Sequence, residues 1–249
     1  MPGQPEERGT LRRAFSGAAR ALLAMDGETR RMRGDFLRLL SRAGKASTLL
    51  DVGAADGEMT QEYARLLGVP ASGIDAIEAL EKYLEKFPAG LRVARLDVEK
   101  AAFPFPDASF EVVVCNQVLE HLKNIFLPLA EMERVLKPGG RLALGVPNLA
   151  ALHNRLLLAA GRQPLCNHIT GPHVRVFAHT HFYAFLRSNP AFEVEAWSGS
   201  SLYPLPYPLC DLGARIFPGL STYTFYLLKK KFAAGRSAWS RETVGDTCL

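Results

Sequence analysis

The chain is poor in cysteine and tryptophan, with four of the first and two of the second in 249 residues. Cys115, Cys166, Cys210 and Cys248 have neither the paired spacing of a zinc site nor the density of a disulfide framework. The fold must therefore rest on a hydrophobic core, and a reducing compartment is expected. A run of about 18 uninterrupted apolar residues is also missing, which excludes a membrane-spanning helix as the organising element. The N-terminus, polar with Glu6 and Glu7, carries no apolar signal core, so the expected location is the cytoplasm. Neither a polar low-complexity linker nor an internal repeat divides the sequence, which favours one elaborated domain over two small ones. The formal net charge is +5, with much of the excess in Arg12, Arg13, Arg20, Arg30, Arg31 and Arg33 and in Lys229 to Lys231. No aromatic-interleaved basic stripe accompanies it, so a solvated basic face is expected and nucleic acid is not an expected partner.

What the sequence does contain is an alternation of short apolar runs and amphipathic segments. Helical spacing from Leu11 to Ala43, broken at Asp26-Gly27, predicts two helices in an N-terminal extension over residues 1–45. Strands are predicted at Thr48–Val52, Ser72–Asp75, Leu91–Leu96, Glu111–Asn116 and Arg141–Val146. Helices are predicted at Glu58–Leu67, Ile77–Phe87 and about Ile125–Leu136, the last stopped by "KPGG". Such alternation means right-handed crossovers and a doubly wound, mostly parallel α/β sheet with helices on both faces. Two further strand candidates, "FEVEAWS" and "STYTFYLLKKK", are joined by a long connection in which no regular helix is obvious. The main domain is expected over residues 46–232, with insertions at about 149–182 and 199–220, followed by a flexible tail at 233–249.

In "STLLDVGAADGEMT" a predicted strand ends in an acid and then in three small residues two apart, Gly53, Ala55 and Gly57. In an open parallel sheet this first strand-to-helix turn is where ligands sit, and small residues let the backbone approach one. A dinucleotide fingerprint would need a wider last glycine interval, and a phosphate-binding loop would need Lys and Ser or Thr where Glu58 and Met59 stand. A nucleoside without phosphates is favoured. Asp75, at the expected end of the second strand, is placed to accept hydrogen bonds from both ribose hydroxyls. Asp97, after the third strand, is placed to accept from an adenine amino group, with Val98 offering a backbone N–H and an apolar face.

These segments, with "GIDAIEAL", "LDVEKAAFPFPDASFEVVVCNQVLEHL" and "EMERVLKPGGRLALGVPN", resemble a class I S-adenosylmethionine-dependent methyltransferase of the small-molecule type over about Ser47 to Asn148. The resemblance implies a Rossmann-like seven-stranded sheet of order 3-2-1-4-5-7-6, with the last strand antiparallel. It also implies S-adenosylmethionine as cofactor and S-adenosylhomocysteine as product. By resemblance Gly53, Ala55 and Gly57 line the methionine and ribose part, and Asp51 orients the turn and the amino group. Asp75 would hold the ribose, Asp97 and Val98 would frame adenine, and Asn116 would lie beside the cofactor. Ala55 departs from the pattern, where a glycine is usual.

Five of the six histidines fall between His153 and His181, after the fifth predicted strand and so at the carboxyl edge of the sheet. Histidine suits general-base work near neutral pH. His173, in "GPHVRVF", is the first candidate to face an acceptor, and His121, in "VLEHL", is the second. Cys166, His168, His179 and His181 show none of the recognised zinc spacings, so no metal site is expected. The expected reaction is methyl transfer, to oxygen, of a small-molecule or glycan-like acceptor such as a sugar, a lipid-linked intermediate or a secondary metabolite. The rival is a catalytically silent scaffold or binding protein of the same fold, and a nicotinamide oxidoreductase is disfavoured by the glycine interval. The stretch "SLYPLPYPLCDLGARIFPGL" could pack on the core or meet a membrane surface.

Overall fold

A computed structural model describes residues 27–232 and Trp239. Seven of its aliphatic runs form one sheet: β1 (Leu49–Val52), β2 (Ile74–Glu78), β3 (Arg92–Arg95), β4 (Phe110–Asn116), β5 (Leu136–Pro147), β6 (Phe192–Ser200) and β7 (Tyr223–Lys230). Their order is β3-β2-β1-β4-β5-β7-β6, as the resemblance implies. β7 runs antiparallel to both of its neighbours and the remaining pairings are parallel. Because β2 and β4 flank β1 on opposite sides, the strand order reverses between β1 and β4. A crevice opens there, beyond the carboxyl ends of the strands.

The pleat sorts successive side chains onto two cores. Leu50, Val113, Cys115, Leu142 and Leu144 face a layer that includes α4 (Phe126–Val135) and α6 (His179–Ser188). Leu49, Val112, Val114, Ala143, Phe225 and Leu227 face the other way, onto α1 (residues 27–40) and α2 (Glu58–Leu67). Residues 27–40, read from sequence as part of an extension, thus form a layer of the domain itself. Phe36, Leu39 and Leu40 of α1 are buried, with the Phe36 ring 5.4 Å from Phe225 and 5.6 Å from Tyr63. Burying side chains of this size contributes about 1.5–3 kcal/mol each. Residues 1–26 and the tail beyond residue 232, apart from Trp239, lie outside the described residues. Trp239 is buried, its ring 5.0 Å from Phe192.

Beyond shifts of a single residue, several elements differ from the sequence reading. β2 continues three residues past Asp75 to Glu78, because Ala76 and Ile77 extend its parallel pairing with both β1 and β3. The following helix, α3, shrinks to Glu81–Leu84, with Phe87-Pro88 soon after it. "KPGG" is not a loop between helix and strand but part of β5. Leu136 pairs with Phe110, and a register irregularity between Phe110 and Val112 absorbs the extra residues, with Gly139 at φ +79°. The connection between β6 and β7 does contain a helix, α7 (Leu209–Ile216), which buries Cys210 and Ala214. Pro208 before it and Gly213 within it obscure its periodicity. Between β5 and α6 lies one more helix, α5 (Leu152–Ala159).

Candidate cofactor and acceptor site

A cavity of about 620 Å³ occupies the crevice, lined among others by Gly53, Ala55, Glu78, Asp97, Val98, Gln117 and His121. The glycine turn forms one wall, and its small residues are required first by the protein's own packing. Gly53 has φ +77°, and a Cβ there would lie 2.4 Å from Val118 Cγ2. At Gly57, φ is +76° and a Cβ would meet Pro88 Cδ at 2.7 Å, so this glycine seats the β3-side loop against the start of α2. Gly57 is not part of the cavity lining. Ala55 also has a positive φ, +49°, and its N–H donates to Glu78 Oε2 at 2.8 Å.

Glu78 is the acid at the carboxyl end of β2. It is buried, and its Oε1 accepts from the N–H groups of Ala79 and Leu80 at 2.9 and 2.8 Å. One carboxylate therefore fixes both the glycine turn and the exit of β2, and it lines the cavity. Asp75, the expected ribose acid, is not brought there. It sits near the start of β2, where Arg92 donates Nε to Oδ1 at 2.8 Å and a second nitrogen to Oδ2 at 2.7 Å. An acid near the wrong end of a parallel strand cannot reach a ligand at its carboxyl end.

Asp97 and Val98 both line the cavity. Asp97 Oδ1 accepts from Glu99 N–H at 3.1 Å, and Lys100 pairs with Oδ2 at 2.7 Å, which holds the carboxyl below its ordinary range. Neither Asp51 nor Asn116 is among the residues that line the cavity. Thr60 Oγ1 donates to Asp51 Oδ2 at 2.6 Å, tying α2 to β1. Burial pushes the Asp51 carboxyl up to about 7; the Thr60 hydrogen bond opposes this and the nearby Glu78 charge adds to it. Asn116 donates Nδ2 to the Tyr63 hydroxyl at 3.3 Å, and its Oδ1 fills the space where a Cβ on Gly145 would stand.

A second cavity, of about 390 Å³, lies next to the first, lined by Glu28, Gln117, Pro147, His153, Asn154, Leu165, Cys166, His173, Tyr203, Thr222 and Tyr223. Gln117 lines both cavities. It has φ +58°, its N–H is held by Gly145 C=O at 2.9 Å, and its Nε2 is buried without a hydrogen-bond partner among the described residues. Burial and the neighbouring carboxylates of Glu28 and Glu120 push the Tyr223 hydroxyl up to about 12, so it stays a neutral phenol.

The two histidine candidates meet where the cavities meet. The His121 and His173 rings are 4.8 Å apart, one lining the first cavity and the other the second. His173 Nδ1 lies 2.7 Å from Cys166 C=O and His121 Nδ1 lies 3.3 Å from Pro172 C=O. A carbonyl only accepts, so each Nδ1 carries a proton, and in the neutral ring the lone pair is on Nε2. Partial burial lowers the His121 pKa, which keeps that ring neutral near pH 7. Of the four residues weighed as metal ligands, His179 serves packing: its Nδ1 contacts the Tyr226 hydroxyl at 2.9 Å and its ring stacks on Trp197 at 4.1 Å. Three residues at this site were not singled out from sequence, namely Glu78, Gln117 and Glu120. Glu78 was within reach, since Ile74, Ala76 and Ile77 continue the apolar run to it.

A glycine turn at the β1–β4 reversal, acids at the ends of β2 and β3, and a second cavity beside the first lie together at the carboxyl edge of a Rossmann-like sheet. Residues 50–144 match the family described as "Methyltransferase domain", and over this stretch the chain is similar to class I S-adenosylmethionine-dependent methyltransferases. It is 35% identical over 126 residues to the ubiquinone/menaquinone biosynthesis C-methyltransferase UbiE of Stutzerimonas stutzeri, an alignment that covers 47% of this chain and 48% of that protein. It is 36% identical over 124 residues to the 27-O-demethylrifamycin SV methyltransferase of Amycolatopsis mediterranei, covering 45% and 43%. The chain thus spans about half the length of the curated relatives it matches. Among solved structures, the N-methyltransferase NodS of Bradyrhizobium japonicum, in complex with S-adenosyl-L-homocysteine, superposes with a TM-score of 0.53 at 16% identity over 81% of this chain and 86% of that one. At this identity the likeness is one of fold.

Proposed function

We propose that the protein transfers the methyl group of S-adenosylmethionine to an oxygen of a small-molecule or glycan-like acceptor, releasing S-adenosylhomocysteine. The observation that carries this reading is the pair of cavities that share Gln117, the first over the glycine turn and the second ringed by Tyr203, Tyr223, His153 and His173. The first cavity fits the cofactor. Its volume falls in the range of ligand pockets, and the Glu78 carboxylate, already held by backbone N–H groups, keeps lone pairs for ribose hydroxyls. Glu78 thus takes the place first assigned to Asp75. Asp97 and Val98 would frame adenine, and Asp51, through Thr60 and the turn, would set the end where the amino group lies. The NodS structure, solved with S-adenosyl-L-homocysteine, supports the same class of ligand.

When bound, the cofactor supplies a methyl group on a sulfonium, an activated leaving group. What remains for the chain is alignment and the exclusion of water. The names of the relatives speak of carbon, oxygen and nitrogen acceptors, so fold alone does not choose the atom. The choice of oxygen rests on the two imidazoles. A hydroxyl acceptor must lose a proton, and His121 and His173, whose Nδ1 atoms are turned to carbonyls, offer Nε2 for it in their neutral form. Tyr203 and the exposed Tyr207, Leu209, Leu212 and Ile216 beyond it suit an acceptor with an apolar part.

The test is release of S-adenosylhomocysteine from purified full-length protein across a panel of phenols, sugars and lipid-linked sugars. Turnover with at least one hydroxyl acceptor, lost in His173→Ala, is expected. Cofactor binding without turnover on any member of the panel would favour a silent binding protein instead.

A further inference from the structure

Beside the junction of the two cavities stands a buried carboxyl group, whose pKa burial pushes up to about 7. Glu120 follows β4 in the short turn Leu119–His121, is 2% exposed, and both of its carboxyl oxygens are buried without a hydrogen-bond partner among the described residues. Its backbone C=O is occupied, accepting from the N–H groups of Val174 and Arg175 at 2.9 and 3.1 Å. Those two bonds pin the segment after His173 against the turn that carries Glu120 and His121. As a result, one ligand-capable atom from each of Glu120, His121 and His173 lies within 4.8 Å of the others. A carboxylate desolvated to this degree is costly unless something cationic or hydrogen-bonding completes it.

Neither neighbouring histidine can supply a proton from Nδ1, since each is turned to a carbonyl, Cys166 for His173 and Pro172 for His121. That arrangement is the outer shell of a metal-binding imidazole: a backbone carbonyl fixes the tautomer and leaves Nε2 as the ligand atom. Two imidazoles and one carboxylate form a mixed nitrogen and oxygen set. It suits first-row divalent cations such as Zn²⁺, Fe²⁺, Mn²⁺ or Co²⁺ better than Mg²⁺ or Ca²⁺, and it leaves coordination positions open for water or substrate.

We propose that Glu120, His121 and His173 bind a divalent first-row transition cation at the junction of the two cavities, where an acceptor oxygen completes its coordination. This deepens the functional reading above and rests on it for the identity of the two cavities. With the cation in place the two imidazoles still serve loss of the acceptor proton, now by holding the metal that acidifies the hydroxyl. The cation withdraws electron density from the acceptor O–H bond, the proton passes to solvent, and the oxygen takes the methyl carbon. The carbon–sulfur bond breaks with its electron pair left on sulfur, so no oxidant or reductant is required.

The experiment uses untagged full-length protein, stripped with a chelator, and titrated calorimetrically with Zn²⁺ and spectroscopically with Co²⁺. One equivalent is expected, with the visible absorption of Co²⁺ bound to nitrogen ligands. His173→Ala and His121→Ala should each weaken binding at least tenfold and change the Co²⁺ spectrum. Glu120→Gln, which keeps the shape of the side chain, should do the same, while His181→Ala, an exposed histidine outside the cluster, should change neither. Circular dichroism of each variant separates loss of a ligand from loss of the fold. No binding, or binding that survives both histidine changes in folded protein, would overturn the proposal. S-adenosylmethionine binding is measured separately on the stripped protein. Cofactor binding without metal sinks this inference alone, and metal binding without cofactor sinks the methyltransferase reading while leaving the cation site in place.

Discussion

Asp51 offers a sharp test of the electrostatics near the glycine turn. It sits in β1, 3% exposed, with a single side-chain hydrogen bond from Thr60 at 2.6 Å. Burial moves its carboxyl from an ordinary value of 3.8 up to about 7. A group whose pKa is raised by folding binds its proton more tightly in the native chain than in the unfolded one. The stability it contributes is therefore fully present below about pH 4 and is lost as the pH rises through 7, after which the loss is constant. A rise of this size corresponds to roughly 4 kcal/mol, of which about 3 kcal/mol falls between pH 5 and pH 8. Asn at this position can still accept from Thr60 and never ionises. Urea unfolding of ligand-stripped wild type and Asp51→Asn at the two pH values should then show the difference between them shifting by about 2–3 kcal/mol in favour of the variant at pH 8. Saturating S-adenosylmethionine should stabilise the wild type more than the variant, because a bound ammonium group favours the ionised acid. A stability difference that does not change with pH would refute the assignment of a raised pKa to Asp51.

The remaining expectations concern single side chains. Glu78→Gln cannot satisfy all three backbone N–H donors and should weaken cofactor binding by about 1–3 kcal/mol in a calorimetric titration. Asp75→Ala should leave that affinity unchanged and cost no more than about 1 kcal/mol of stability, since it breaks only the pairing with the exposed Arg92. Gly53→Ala places a methyl 2.4 Å from Val118 at a left-handed position, so a loss of about 1–3 kcal/mol and a weakened cofactor site are expected from denaturation and binding curves. Phe36→Ala should destabilise by about 3–5 kcal/mol in urea, and an effect below 1 kcal/mol would mean that α1 is not part of the core.

The strand and helix pattern around β1, α2 and β4 was legible because their apolar periodicities are uninterrupted, and the sheet order followed from the family motifs. The end of β2 was not. Asp75 reads as the acid after a strand until the parallel pairing of Ala76 and Ile77 with Asp51 and Val52 is known, which makes Glu78 the terminal acid. Gly57 was legible as a position needing a small residue, but the neighbour that requires it, Pro88, comes from another segment 31 positions on, and a single sequence does not state that contact. His121 and His173 were read as acceptor-side candidates from residue type and position. Their meeting with Glu120 depends on the backbone hydrogen bonds that carry residues 174 and 175 across to the turn after β4, a long-range contact without a local signature. α7 was hidden for a different reason: a proline before it and a glycine inside it mask an amphipathic helix that is set by burial of Cys210 and Ala214.

In the proposed function the cavity over the glycine turn holds S-adenosylmethionine through Glu78. The measurement that tests it most directly is calorimetric titration of ligand-stripped protein with S-adenosylmethionine, S-adenosylhomocysteine and, separately, NAD, repeated with Glu78→Gln and Asp75→Ala. The account predicts saturable binding of both sulfur ligands, none of NAD, a weakened Glu78→Gln and an unchanged Asp75→Ala. Absence of binding by either sulfur ligand, or a loss on Asp75→Ala with none on Glu78→Gln, would contradict it.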